Sequence, residues 1–160
     1  MNSSKGKQIG VGKLHGKRLL AALRANAAKM LSVRWDEWRG SLDDRPTMLI
    51  RHLVDVRGMR VDLHKFVDTD DEGCFHTHPS TAFRLVLGGG YIEEMEDGTL
   101  REWRPLRAGF VAPQLSHRIS KLRNGRWSYS VWVRGPKRCQ IELRGDGWPE
   151  SIRHSAGSEQ

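Results

Sequence analysis

The sequence predicts an all-β fold, a small barrel or sandwich, on three observations. From Thr47 onward the chain breaks into short apolar or alternating runs punctuated by Gly, Asp and Pro, the texture of many short strands joined by tight turns. Asp97-Gly98 and Asn124-Gly125 are the dipeptides that most strongly signal two-residue hairpins. Six Trp against two Tyr is a heavy aromatic load, which a barrel interior or an interface absorbs.

Before the β region, Lys17 to Leu31 reads as an amphipathic helix, because Leu20, Leu23, Ala27 and Met30 or Leu31 repeat at three-to-four spacing along one face. Its apolar stripe fits the outer wall of a barrel or a second subunit, so a homodimer is one expectation. Ser32 to Pro46 carries two Trp and several charges and reads as a connection or a short helix, with Pro46 ending any helix before it. The strands expected are Met48 to Val54, Arg60 to Val67, Cys74 to His78, Phe83 to Leu87, Tyr91 to Glu96, Leu100 to Trp103, Phe110 to Ala112, His117 to Lys121, Trp127 to Val133 and Gln140 to Leu143. The organisation is therefore a basic arm and helix over 1–45, a β-barrel over 46–148 and a tail over 149–160.

A chain of 160 residues fits one domain with a sizeable core. No window offers the roughly 18 consecutive apolar residues of a membrane span, so no membrane association is expected. Cys74 and Cys139 are too few for a disulfide framework, and a reducing cytoplasmic setting is the default. The formal charge of +8 lies in the arm. Residues 1–35 hold Lys5, Lys7, Lys13, Lys17, Arg18, Arg24, Lys29 and Arg34 and no acid, and the 19 basic residues beyond them equal the 19 acids. Such an arm is either a solvated tail with one helix or a weak contact for polyanions or acidic surfaces. Its acid-free, Ser-containing start also has the composition of an organelle transit peptide.

The residues that point to chemistry are Gly73-Cys74-Phe75-His76-Thr77-His78-Pro79, answered later by Pro113-Gln114-Leu115-Ser116-His117. Side chains two apart on a strand share a face, so His76 and His78 can put two imidazoles on one ion. A third ligand must come from elsewhere in the fold, and His117 is the best candidate. Three neutral nitrogens leave coordination positions open, which suits a catalytic or ligand-binding ion rather than a closed structural one.

These two segments, GCFHTHPSTAFRLVLGGGYIEE and RAGFVAPQLSHRIS, resemble the two motifs of the cupin superfamily, with Gly109, Pro113 and His117 as anchors of the second. The resemblance covers roughly residues 60–148 and implies a double-stranded β-helix, or jelly roll, with an N-terminal helical extension. Cupins usually carry a Glu four or five residues after the second His of the first motif, where this chain has Ala82 and Phe83. The family's Glu ligand is therefore not carried over. The implied ligand set is His76, His78 and His117, similar to the thiol dioxygenase branch, and the implied cofactor is a divalent metal, Fe(II) favoured over Zn, Mn or Ni.

Several other residues are candidates for the same site. Arg84 shares the parity of His76 and His78, and an inward Arg needs an anionic partner. A substrate carboxylate or phosphate would supply it in bidentate fashion, unless Pro79 breaks the parity and Arg84 pairs with a surface Glu. Glu93 or Glu94 can stand in for the missing carboxylate, or be solvated near their turn, and Gln114 can reach an ion from its loop. Cys74 has the parity of the two His and is either turned toward the metal or a small buried thiol. His64 faces the cavity or is a satisfied core residue. Trp103, Trp127, Tyr129 and Trp132 interleave with Arg101, Arg104, Arg107 and Arg126, either to stack on single-stranded nucleic acid or as the two faces of alternating strands.

The expected function is a metal-dependent oxygenase acting on a small anionic molecule, with Arg84 as substrate anchor. Its rivals are a non-catalytic or isomerase-like cupin binding a sugar or nucleotide derivative, and a nucleic-acid or assembly-binding protein acting through the arm. Deleting Met1 to Gly16 should leave metal binding intact and remove most affinity for polyanions. In the full-length chain that affinity, measured by titration, should fall by about one logarithmic unit per tenfold rise in salt for each phosphate neutralised.

Overall fold

The computed structural model describes residues 35–150. The helix expected over Lys17 to Leu31 lies outside them, as do residues 1–34 of the basic arm and 151–160 of the tail. The described residues form eleven strands: β1 (Glu37–Gly40), β2 (Pro46–Val56), β3 (Met59–Phe66), β4 (Phe75–His76), β5 (Ala82–Gly88), β6 (Tyr91–Met95), β7 (Leu100–Trp103), β8 (Ala108–Val111), β9 (His117–Leu122), β10 (Ser128–Arg134) and β11 (Leu143–Arg144). They build a six-stranded sheet of order β1-β2-β3-β10-β5-β8 and a five-stranded sheet of order β11-β4-β9-β6-β7. From β4 onward the chain passes repeatedly from one sheet to the other, the winding of a double-stranded β-helix.

Alternation decides which side chains meet between the sheets. Asp62, His64 and Phe66 of β3, Ala82, Arg84 and Val86 of β5, and Ser128, Ser130 and Trp132 of β10 share the inner face of the six-stranded sheet, as their cross-strand partners require. Tyr91, Glu93 and Met95 do the same on β6. One apolar cluster joins Phe66 and Val86 to Tyr91, Trp103, Ile119 and Leu122 of the facing sheet. A second joins Ala82, Val111 and Trp132.

Three expectations are corrected. Residues 37–40 are a strand, not a connection or helix, and pair antiparallel with β2. Their mixed, largely exposed sequence is what a sheet edge tolerates, so it carries no alternation to read. Pro46 opens β2 instead of closing a helix, at a first-strand position where the missing N–H costs no ladder bond. Asn124-Gly125 makes a turn, with Asn124 Oδ1 accepting from the N–H groups of Arg126 and Trp127, but β9 and β10 lie in different sheets and are not a hairpin. Asp97-Gly98 does close the β6–β7 hairpin.

The interleaved aromatic and basic residues follow the two faces. Trp103 and Trp132 are buried, whereas Trp127 is exposed beside a half-buried Tyr129 and Arg101, Arg104, Arg107 and Arg126 are exposed, so the four rings are divided between the two faces.

Gly89 and Gly98 both have positive φ, +75° and +81°, but only Gly89 is crowded: a Cβ there would run into the Trp127 carbonyl oxygen, while one on Gly98 meets nothing within 4 Å. Gly98→Ala should therefore cost about 1 kcal/mol from backbone strain alone. Gly89→Ala should cost about 2 to 5 kcal/mol, because overpacking adds to the strain. Urea unfolding of both variants measures the difference.

Candidate metal centre

His76 ends β4 and sits directly opposite His117, the first residue of β9. His78 lies just beyond β4, yet the chain stays extended there: the Thr77 N–H donates to the Glu142 carbonyl at 3.0 Å, and Thr77 Oγ1 accepts from the Glu142 N–H at 2.8 Å. That clamp turns Thr77 away and keeps both imidazoles on one side. The His78 N–H donates to the Pro113 carbonyl at 3.0 Å, which ties the two sequence motifs together. The ligand-capable atoms of the three His lie within 4.8 Å of one another, and Nε2 of His78 is 2.6 Å from Nε2 of His117. Two nitrogen lone pairs facing at that distance repel unless a proton or an ion lies between them. One ion accepting a lone pair from each ring meets this demand, so the donor set fits a transition metal.

Burial keeps the rings of His76 and His78 neutral. It pushes His76 down to about 3, with the neighbouring His117 as the next cause. It likewise holds His78 well below the ordinary imidazole value, with His117 and His76 adding to the effect. A neutral imidazole is the metal-binding form.

The orientation of His117 comes from Glu93. His117 Nδ1 is in close contact with Glu93 Oε1, although not aligned as a straight hydrogen bond. A proton on Nδ1 leaves Nε2 free to face the other two rings, the arrangement by which a carboxylate fixes a histidine ligand. Glu93 is itself held on every side. Arg84 Nη1 and Nη2 donate to its two oxygens at 2.5 and 2.6 Å, and Trp103 Nε1 donates at 3.0 Å. Burial opposes the Glu93 charge, but His117 and Arg84 together outweigh it and hold the carboxyl below its ordinary range.

Arg84 requires a correction. It does point inward, so parity survives Pro79, but it is fully buried and its guanidinium is occupied by Glu93. It also lies 3.6 Å over the Trp103 ring and donates to Tyr91 Oη at 3.2 Å. It does not line the cavity beside the histidines, so the anion it needs is internal, not substrate. Gly109, paired with Arg84, leaves room for Trp103: a Cβ there would lie 2.8 Å from that ring. The sequence does contain the signal for Glu93, since Tyr91, Glu93 and Met95 share one parity and an inward Glu needs an inward cation.

The other candidates take ordinary places. Glu94 pairs with Arg118 at 2.6 Å on the outer face, and Gln114 is exposed on its loop. Cys74 is buried outside the cavity lining, and burial pushes its thiol up to about 11, the state of an inert thiol. His64, in contrast, does line the cavity.

The cavity at the three His has a volume of about 200 Å³. Met48, Ile50, Phe66 and Trp132 give it an apolar wall, and Arg39, Arg134 and Asp70 also line it. Arg39 belongs to the strand read as a connection, and neither it nor Asp70 stands in a motif. Burial raises the Asp70 carboxyl above its ordinary value, although its side chain accepts from the Ile119 N–H at 2.7 Å.

No protein-family model and no curated protein sequence matches the chain. Solved structures do resemble it. A cupin-like protein from Thermotoga maritima MSB8 aligns over 81% of this chain and 98% of its own, at TM-score 0.55 and 15% identity. A proposed mannose-6-phosphate isomerase from Ralstonia eutropha JMP134 aligns over 57% and 87%, at TM-score 0.52 and 19% identity. The Fe(II) form of HppE aligns over 57% of this chain and about half of its own, 52%, at TM-score 0.50 and 14% identity.

Glu93→Gln should leave Arg84 buried without its counter-charge and cost about 3 to 5 kcal/mol in denaturant unfolding. In whatever fraction remains folded, metal affinity should drop about 10- to 100-fold because His117 loses its orienting carboxylate. Arg84→Met combined with Glu93→Leu should be less destabilising than either single change, which a double-mutant cycle reads directly.

Proposed function

We propose that this chain, whose fold is the cupin double-stranded β-helix, is a mononuclear metal-dependent enzyme, most specifically a non-haem Fe(II) oxygenase acting on a small anionic molecule. The observation that carries the reading is the convergence of three imidazoles on a cavity with apolar walls. His76, His78 and His117 would hold the ion, and imidazole donors suit Fe, Zn or Ni. Bound Fe(II) would supply the O₂ and one-electron chemistry that side chains lack.

The protein's own contributions can be named. Glu93, fixed by Arg84 and Trp103, holds the His117 proton on Nδ1. Met48, Ile50, Phe66 and Trp132 exclude water from the space beside the ligands, which strengthens electrostatic interactions inside it. Arg39 and Arg134 border the cavity, and although Arg39 pairs with Glu37 at 3.2 Å and Arg134 with Asp62 at 3.1 Å, a guanidinium has more N–H donors than one carboxylate takes, so an anion beside them would still find donors. They take the place that the sequence reading gave to Arg84.

One observation favours a second reading. The Asp70 carboxyl lines the same cavity and is raised by burial, as suits a group that accepts and returns a proton. With the ion as a Lewis acid, that combination supports an isomerase-like, non-redox reaction on a sugar or nucleotide derivative.

Elemental analysis of anaerobically purified protein should find about one divalent transition metal per chain, and His76→Ala with His78→Ala should abolish it. O₂ uptake with a panel of small carboxylates and phosphates, lost in the same variant, supports the oxygenase. Bound Zn, no O₂ uptake, and an activity lost in Asp70→Asn would move the protein to the second reading. Full metal occupancy in the double variant would sink the site.

A further inference from the structure

We propose that His64 is a specificity residue of this cavity, hydrogen-bonding a hydroxyl group of the small molecule bound beside the three histidines. The inference rests on the proposed metal site for the position of that molecule, and on His64 itself for its chemistry. His64 lies on β3, in the sheet opposite His76 and His117, and lines the cavity. Its ring stacks on Trp132, centroids 5.2 Å apart with planes 21° from parallel. The same Trp132 lies 5.4 Å from the ring of His78, so one indole flanks both a presumptive ligand and His64.

His64 Nδ1 is enclosed by protein and has no hydrogen-bond partner, so the ring can meet a ligand in the cavity only through Nε2. None of its polar neighbours bonds to Nδ1. Its cross-strand neighbours are Ile50 and Ser130, and the Ser130 hydroxyl already accepts from Trp132 Nε1 at 3.0 Å. The inward neighbour Asp62 is taken by His52 Nδ1 at 2.7 Å and Arg134 Nε at 3.1 Å. A buried polar group left without a partner is penalised, and a leucine would fill the same wall with no such penalty.

The imidazole is also uncharged, since burial pushes it down to about 3. It therefore offers a neutral dipole, not a counter-ion, and leaves recognition of an anionic group to Arg39 and Arg134. A hydroxyl both donates and accepts, so it pairs with Nε2 in either tautomer. The ligand class is a small hydroxylated anion. A site built around such a bond rejects the analogue lacking the hydroxyl far more strongly than an apolar pocket rejects a change of shape.

The test uses the full-length protein loaded with Zn(II) and calorimetric titration with two pairs of probes, lactate against propanoate and 3-hydroxybutanoate against butanoate. Wild type should bind the hydroxylated member at least about tenfold more tightly in one pair. In His64→Leu that preference should shrink to less than about twofold while metal content and propanoate or butanoate affinity are kept, and His64→Gln should restore part of it. A preference that survives in His64→Leu, as direct chelation of the ion by the hydroxyl would produce, overturns the proposal, as does equal binding of both pairs by wild type. A second arm needs no metal: melting of the metal-free His64→Leu protein should occur at or above the wild-type temperature, and a fall of several degrees would assign His64 a structural role instead. Absence of metal from wild type would count against the enzyme reading, while the melting arm still decides the role of His64.

Discussion

The buried carboxylate of Glu93 is the point on which the rest of this structure depends. It stands on β6 of one sheet and meets Arg84 on β5 of the other, so the pair is a charged tie between the two layers. A buried ion pair is a poor source of net stability, because desolvating both charges consumes most of their attraction. Its effect here is on arrangement. With Arg84 on both oxygens and Trp103 on one, the carboxylate has a single position, and that position faces His117.

The same constraint couples the core to the site. Tyr91, Trp103 and Arg84 pack around Glu93, and Gly109 makes room for the indole between them. Two further ties work from the backbone: His78 to Pro113 joins the motifs, and Trp148 Nε1 donates to the Phe75 carbonyl at 2.7 Å, anchoring the segment after β11 beside β4. The short strand β4 thus carries His76 with support from β9, β11 and the chain beyond it. Ligands held by rigid strands and by fixed neighbours keep their geometry better than ligands on free loops.

Charge is sorted within the cavity by desolvation. His76, His78 and His64 are driven to their neutral forms, which suits the first two to join His117 in binding an ion and the third to meet an uncharged polar group. Permanent positive charge lies on Arg39 and Arg134, partly exposed side chains that pair with Glu37 and Asp62. The one acid of the lining, Asp70, is pushed toward its protonated form by burial. On the proposed reading, such a cavity would take a small anion with a polar group along its length.

Much of this was written in the sequence. Turn chemistry and alternation located ten strands to within a few residues, and the fixed two-residue period put His76 and His78 on one face before any tertiary contact was known. Period two also placed Arg84 inward, because that property belongs to the single strand. What the strand could not state was what lay across from it. Arg84 has the parity of a substrate anchor, and only the packing of β5 against β6 shows that Glu93 takes its charge. The edge strand with Arg39 was illegible because an exposed edge imposes no pattern, and Asn124-Gly125 specified a turn without specifying that the chain leaves one sheet for the other. Local geometry is fixed by neighbours along the chain, so the sequence determined faces and turns; partners are fixed by closure of the two sheets, so the tertiary structure alone decided which charges and rings meet.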